Sequence, residues 1–270
     1  MEKKNNKNVF IIIGCILVIF VAIIVGTIVL KKDNNVANND GNSTENTEQK
    51  EETKKSDYSA LENDIKKAIN EKDLIKASSY YNVLKFSIEN DKNADRTEYD
   101  KITNDLQTLK DERKAELLNK VDSSYDDMTQ NTSYSLKGSE NIFDEDTNVI
   151  PLLVKSSKNN LTVFGLQLGF VNESWIFFES LIVNVDGDLT EISSNYYDKT
   201  KEVITGGVFE RCTLYTEKYP TFNTLMEKMI KGNEIKVRFV GQAGKGSIDH
   251  VVTPSEKENL KVLYELSLCL

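Results

Sequence analysis

One histidine, three cysteines and three prolines in 270 residues set the first limits on what this chain does. A lone histidine leaves no His-rich zinc site, and a Ser–His–acid triad would have to use His250. Cys15, Cys212 and Cys269 are too few for a dense disulfide scaffold, and so few prolines exclude a proline-rich stalk. Bases are outnumbered as well. With 34 against 43 acids the net charge is −9, which argues against sequence-independent nucleic-acid binding.

The charge is unevenly spread. Residues 1–32 carry a net +4, whereas 33–56 carry −3, 57–120 carry −2 and 121–270 carry −8. The −13 beyond residue 32 suits solubility and disfavours binding to anionic lipid or wall polymer by charge alone.

The longest apolar stretch is Val9–Leu30, an uncharged run that as a helix spans roughly 33 Å, the thickness of a bilayer core. It exceeds the ~7–15-residue core of a cleaved signal peptide and lacks an Ala-x-Ala ending before Lys31. Only five apolar residues precede Cys15, too few for a lipoprotein cleavage site at Gly14-Cys15. The expectation is an uncleaved, single-pass signal-anchor helix. Lys3, Lys4, Lys7 and the amino terminus, set against Lys31 and Lys32, favour a cytoplasmic tail at residues 1–8 and an extracytoplasmic remainder. Residues 31–56 read as a disordered tether, because from Asp33 to Ser56 only Val36 and Ala37 are apolar.

Helical periodicity begins at Asp57. Leu61, Ile65 and Ile69, then Leu74, Ala77, Tyr81, Leu84 and Ile88, then Tyr99, Ile102, Leu106 and Leu109 recur at spacings of three and four. Residues 57–120 are therefore expected to form three antiparallel helices packed through coiled-coil-like seams. Such a bundle is either a spacer burying its own seam or a surface for a protein partner.

From Val121 the pattern is that of strands. Ser133–Lys137, Val149–Ser156, Leu161–Val171, Trp175–Asp186, Leu189–Ser193, Val208–Thr216 and Glu234–Val240 are rich in β-branched and aromatic residues. Turn signals at Asn159-Asn160, Asn172-Glu173-Ser174 and Asp186-Gly187-Asp188 predict hairpins. Phe222, Leu225, Met226, Met229 and Ile230 predict a helix stopped by Gly232, and Thr253-Pro254-Ser255-Glu256 is a capping box opening a last helix. Strands first and helices late make residues 121–270 an α+β domain on an antiparallel sheet.

The ordered set Thr132-Ser133-Tyr134, Trp175-Ile176-Phe177-Phe178, Val185-Asp186-Gly187, Lys236–Gly241 and Thr253–Glu256 resembles a domain of unknown function in uncharacterised bacterial envelope proteins and lipoproteins. It covers roughly the last 150 residues. The resemblance implies a secreted or anchored setting and no particular activity. Ser133 stands where an aromatic is commoner in that pattern.

Chemical sites are sparse. Gly241–Ser247 (GQAGKGS) is not a phosphate loop, since two residues rather than four separate its first glycine from Gly-Lys, so no nucleotide is expected. His250 is expected in the turn before the last helix. Asp186, Asp188 and Glu191 read as a polar turn rather than a calcium site, and Cys212 and Cys269 as free buried thiols. Glu179 draws more interest: if Trp175–Asp186 is one central strand, Glu179 shares a face with Trp175 and Phe177 and needs a partner, for which Arg211 and Arg238 are the block's only arginines. These four residues form either a ligand-binding charged pair with Trp175 as platform, a structural ion pair, or a solvent-reaching edge.

Neither a cofactor nor a metal is expected. The functional expectation is a membrane-anchored extracytoplasmic binding or interaction module without enzymatic activity. The alternatives are an envelope-polymer enzyme working through carboxylates such as Glu179 and Asp186, and a structural surface spacer.

Overall fold

The computed structural model describes residues 57–92, 94–139, 143, 147–193, 198–216 and 221–270. The run Val9–Leu30 and the tether lie outside the described residues. Among the described residues no helix is long and apolar enough to cross a membrane.

Three helices come first: α1 (Ser59–Asn70), α2 (Leu74–Asn90) and α3 (Thr97–Leu118). Asp73 caps α2 by accepting the Lys76 N–H at 2.9 Å. The predicted seams are the ones that close. Ile65, Leu84, Ile88 and Ile102 form one buried cluster, and Ala68, Leu74, Ala77, Leu106 and Leu109 a second. Ile75 of α2 and Leu117 of α3 lie off these seams and join the main core of the sheets.

The strands are β1 (Val121–Asp126), β2 (Asn131–Leu136), β3 (Val149–Ser156), β4 (Thr162–Asn172), β5 (Ser180–Val185), β6 (Asp188–Ser193), β7 (Asp198–Ile204), β8 (Gly207–Tyr215), β9 (Ile235–Val240) and β10 (Ser247–Val251). Each odd strand pairs antiparallel with the next even one, so the chain is laid down as successive hairpins. Among the described residues they assemble into a six-stranded sheet, β1-β2-β3-β4-β8-β7, and a four-stranded sheet, β10-β9-β5-β6. Helix α4 (Thr221–Lys231) and helix α5 (Pro254–Ser267) follow late, as an α+β pattern requires.

The two sheets share an aromatic centre. Phe170 of β4 meets Phe239 of β9 edge-on at 4.9 Å, and Phe178, from the segment joining β4 to β5, touches both at 6.0 and 5.5 Å. The face of α4 predicted from Phe222, Leu225, Met226, Met229 and Ile230 is buried in full. Helix α5 lies against β2, β3 and β4, and Tyr264 packs its ring against Phe164 at 5.2 Å.

Three strands escaped the sequence pattern: β1, β7 and β10. All three are edge strands, with one side unpaired and most side chains in water, so apolar alternation is lost. His250 accordingly sits in β10, not in a turn. The other difference is at Trp175–Glu179, which is irregular backbone; the strand begins only at Ser180.

Arg113 of α3 ties the helices to α5. It pairs with Glu265 at 2.5 Å, and the Glu265 side chain is only 9% exposed. Replacing Arg113 by alanine strands that carboxylate. The expected loss is about 1–2 kcal/mol, reduced because part of Arg113 stays in water. Urea denaturation measures it, and an unchanged midpoint would show that the pair contributes nothing to stability.

Candidate functional site

The chain must cross from β4 in one sheet to β5 in the other through residues 173–179, and that crossing builds the most distinctive surface of the fold. Ile176 and Phe178 point inward and are 5% and 0% exposed, while Trp175 and Phe177 are half-buried. Phe177 adopts φ +51°, a left-handed conformation that costs a bulky L-residue roughly 1–2 kcal/mol. That conformation turns three successive N–H groups toward one point, an anion-binding nest.

The anion is supplied by the protein. Glu210 of β8 is fully buried, and its Oε1 accepts the N–H of Ile176 at 2.9 Å and of Phe177 at 3.0 Å. Its Oε2 accepts the N–H of Phe178 at 3.1 Å. A buried carboxylate is tolerated only with such partners. Lys199 of β7 closes the other side: its ammonium donates to the Phe178 carbonyl at 2.6 Å and stands 5.3 Å from the Phe178 ring centroid. Burial, and then Lys201, push the Lys199 pKa down, with Glu179, Cys212 and Glu210 acting against them.

Above this anchored segment Trp175 stacks on Phe177, with centroids 5.7 Å apart and planes 18° off parallel. Lys201 of β7 lies 4.6 Å from the Phe177 centroid, and Lys245, from the β9–β10 connection, lies 6.0 Å from it. The connection is held against the segment by the Gln242 N–H, which donates to the Ile176 carbonyl at 2.9 Å. Gly241 permits that approach, because a Cβ there would come within 2.5 Å of the Gly246 carbonyl and 3.0 Å of the Ile176 carbonyl. The GQAGKG stretch is thus a hairpin connection that presents Lys245.

Of the residues singled out from the sequence, Trp175 lies in this surface. Glu179 is exposed at its edge and donates its N–H to Val240 at 2.8 Å; the charge it acts on is Lys199. Arg238 is engaged elsewhere, bidentate to Asp249 across the β9–β10 pair at 2.6 Å for both contacts, and Arg211 lies 5.6 Å from the Phe209 centroid. Glu179 and Asp186 flank the two ends of β5, roughly 20 Å apart at strand rise. Glycoside hydrolysis needs its two carboxylates about 5–9.5 Å apart, so this pair does not fit it.

The remaining acids are employed in structure. Asp186 and Gly187 take φ +52° and +94° to form the predicted tight turn. The Asp186 carboxylate accepts the N–H groups of Glu234 and Asn233, which hold its pKa down, and Asp188 pairs with Lys228 at 2.7 Å. Among the described residues no group of three or more His, Cys, Asp or Glu side chains is placed to hold a metal ion. A cavity of about 510 Å³ at the starts of α1 and α3 is lined by Asp57, Glu62, Asp95 and Glu98, a broad acidic opening without a convergent reactive group.

His250 has a structural partner. Its Nε2 lies 2.7 Å from Oε2 of Glu256, the third residue of α5 and the closing residue of its capping box. The same carboxylate accepts the Thr253 N–H at 2.7 Å, and its Oε1 accepts those of Asn148 and Val149 at 2.7 and 2.8 Å. Cys212 and Cys269 are both free; burial raises the Cys212 thiol strongly and the Cys269 thiol to about 11, so neither is a ready nucleophile.

Glu210, Lys199, Lys201 and Lys245 were not evident as site residues in the sequence. Glu210 did leave a signal, since in β8 it alternates with Val208, Cys212 and Leu214 on an apolar face. The lysines left none, because their meeting depends on a polar edge strand and a distant hairpin. No family model, curated protein or solved structure matches the chain.

Proposed function

We propose that the chain is a single-pass, membrane-anchored binding module whose C-terminal α+β region acts outside the cytoplasm without catalysing a reaction. The observation that carries this reading is the Trp175–Phe177 stack with Lys201 and Lys245 around it. It presents recognition chemistry, an apolar ring surface beside positive charge, on a rigidly anchored segment. Of the two carboxylates named for envelope-polymer chemistry, Asp186 is occupied by backbone donors and Glu179 lies roughly 20 Å from it along β5. The anchor rests on Val9–Leu30 and its flanking lysines, and the likeness of the last 150 residues to a domain of bacterial envelope proteins agrees with an extracytoplasmic setting.

Protease treatment of intact cells is the test. The expected result is loss of residues 57–270 from the cell-associated protein, with cleavage inside the tether. A chain that stays protected until the membrane is broken would overturn the topology.

A further inference from the structure

The proposed binding role leaves the ligand class open, and the platform narrows it. Its charge is out of character for the chain. In a protein of net −9, Lys201 and Lys245 have no carboxylate within ion-pair distance among the described residues, yet they converge on one aromatic ring from separate elements. Other surface lysines, such as Lys228 with Asp188 and Lys72 with Glu112, are neutralised by an acid, whereas these two share one ring face region instead. The indole N–H of Trp175 makes no hydrogen bond among the described residues. Trp175 and Phe177 remain half in water, although burying such large rings is favourable. The segment carrying them keeps a strained backbone that Glu210 holds in place.

We infer that this platform binds an anionic saccharide: a pyranose ring bearing a carboxylate or a phosphate. The inference rests on the binding-module reading above. The aromatic stack offers an apolar surface for the C–H face of a sugar ring. The indole N–H is a donor for a hydroxyl, and the two ammonium groups suit the anionic substituent. A densely charged polymer such as nucleic acid is disfavoured by the chain's negative field, whereas one charge per ring placed over two local lysines is not. Lys199 does not join the pair, because its ammonium is already bound to the Phe178 carbonyl.

Trp175 is the only tryptophan, so the intrinsic fluorescence of the full chain in mild detergent reports directly on the site. Titration with tetragalacturonate or with a hexose phosphate is expected to give a saturable change, and the stronger of the two identifies the anion as carboxylate or phosphate. A neutral tetrasaccharide is expected to bind at least tenfold more weakly. The double variant Lys201→Gln/Lys245→Gln is expected to lose the response to the acidic sugar by at least tenfold with an unchanged melting temperature. If that variant does not fold, the acidic-against-neutral comparison on the wild-type chain decides alone. The proposal is overturned if neither acidic sugar shifts Trp175, if neutral and acidic sugars bind equally, or if inorganic phosphate, AMP or oligoglutamate binds as tightly as the acidic sugar. Failure here leaves the protease result untouched. A protected chain that still binds the acidic sugar would remove the topology and keep the ligand.

Discussion

Replacing Glu210 by alanine is expected to destabilise the protein by about 3–5 kcal/mol, which approaches the whole stability of many domains. Three N–H groups, of Ile176, Phe177 and Phe178, lose their acceptor together. Each unmet buried donor costs about 1–3 kcal/mol, and water entering the gap recovers part of this. The left-handed backbone at Phe177 then has nothing to hold it. Glu210→Gln should be milder, at about 1–3 kcal/mol, because an amide oxygen still accepts from Ile176 and Phe177 while its NH₂ group faces the Phe178 N–H. Urea denaturation followed by far-UV circular dichroism measures the loss. Trp175 fluorescence, read at zero denaturant, should report a disordered platform even where the fold survives. An alanine variant within 1 kcal/mol of wild type would show that the carboxylate does not hold the segment.

Glu256→Ala is the second large effect, also about 3–5 kcal/mol, because one substitution removes the acceptor of the Thr253 N–H in the α5 capping box and the acceptor of the Asn148 and Val149 N–H groups. It also leaves His250 without its carboxylate, which ties β10 to α5. This site carries a pH signature. Burial works against ionisation of Glu256, but the His250 contact and the N–H groups of Thr253 and Asn148 outweigh it and hold the pKa below its ordinary 4.5. A carboxyl whose folded-state pKa is depressed binds protons more weakly in the native state than in the unfolded one. Its contribution is therefore complete above about pH 4.5 and is lost as the pH falls through the folded value. Stability measured between pH 7 and pH 3 should decline more steeply in wild type than in Glu256→Gln. Parallel profiles would show that Glu256 contributes nothing to acid sensitivity.

Much of the architecture was legible in the sequence because it depends on local periodicity. The seams of α1 to α3, the buried face of α4, the capping box at Thr253 and the Asp186-Gly187 turn each involve residues within a few positions of one another. The edge strands β1, β7 and β10 were not legible, since a strand with most side chains in water has no reason to alternate. The run from Trp175 to Asp186 misled for a different reason. Its aromatic and β-branched residues fit a continuous strand, but the fully buried Glu210 draws Ile176, Phe177 and Phe178 out of extended geometry.

The same division holds for the candidate site. By itself the sequence determined that a Trp-aromatic segment precedes a tight Asp-Gly turn and that the late helix is capped. Only the tertiary structure decided which charges meet that segment. Glu179, the near carboxylate, lies out in solvent, while Glu210, more than thirty positions away, fills the nest. Lys201 and Lys245 come from β7 and from the β9–β10 hairpin. Local pattern records which face of an element is apolar; it does not record which distant charge that face will find, because that depends on how the sheets are ordered and stacked.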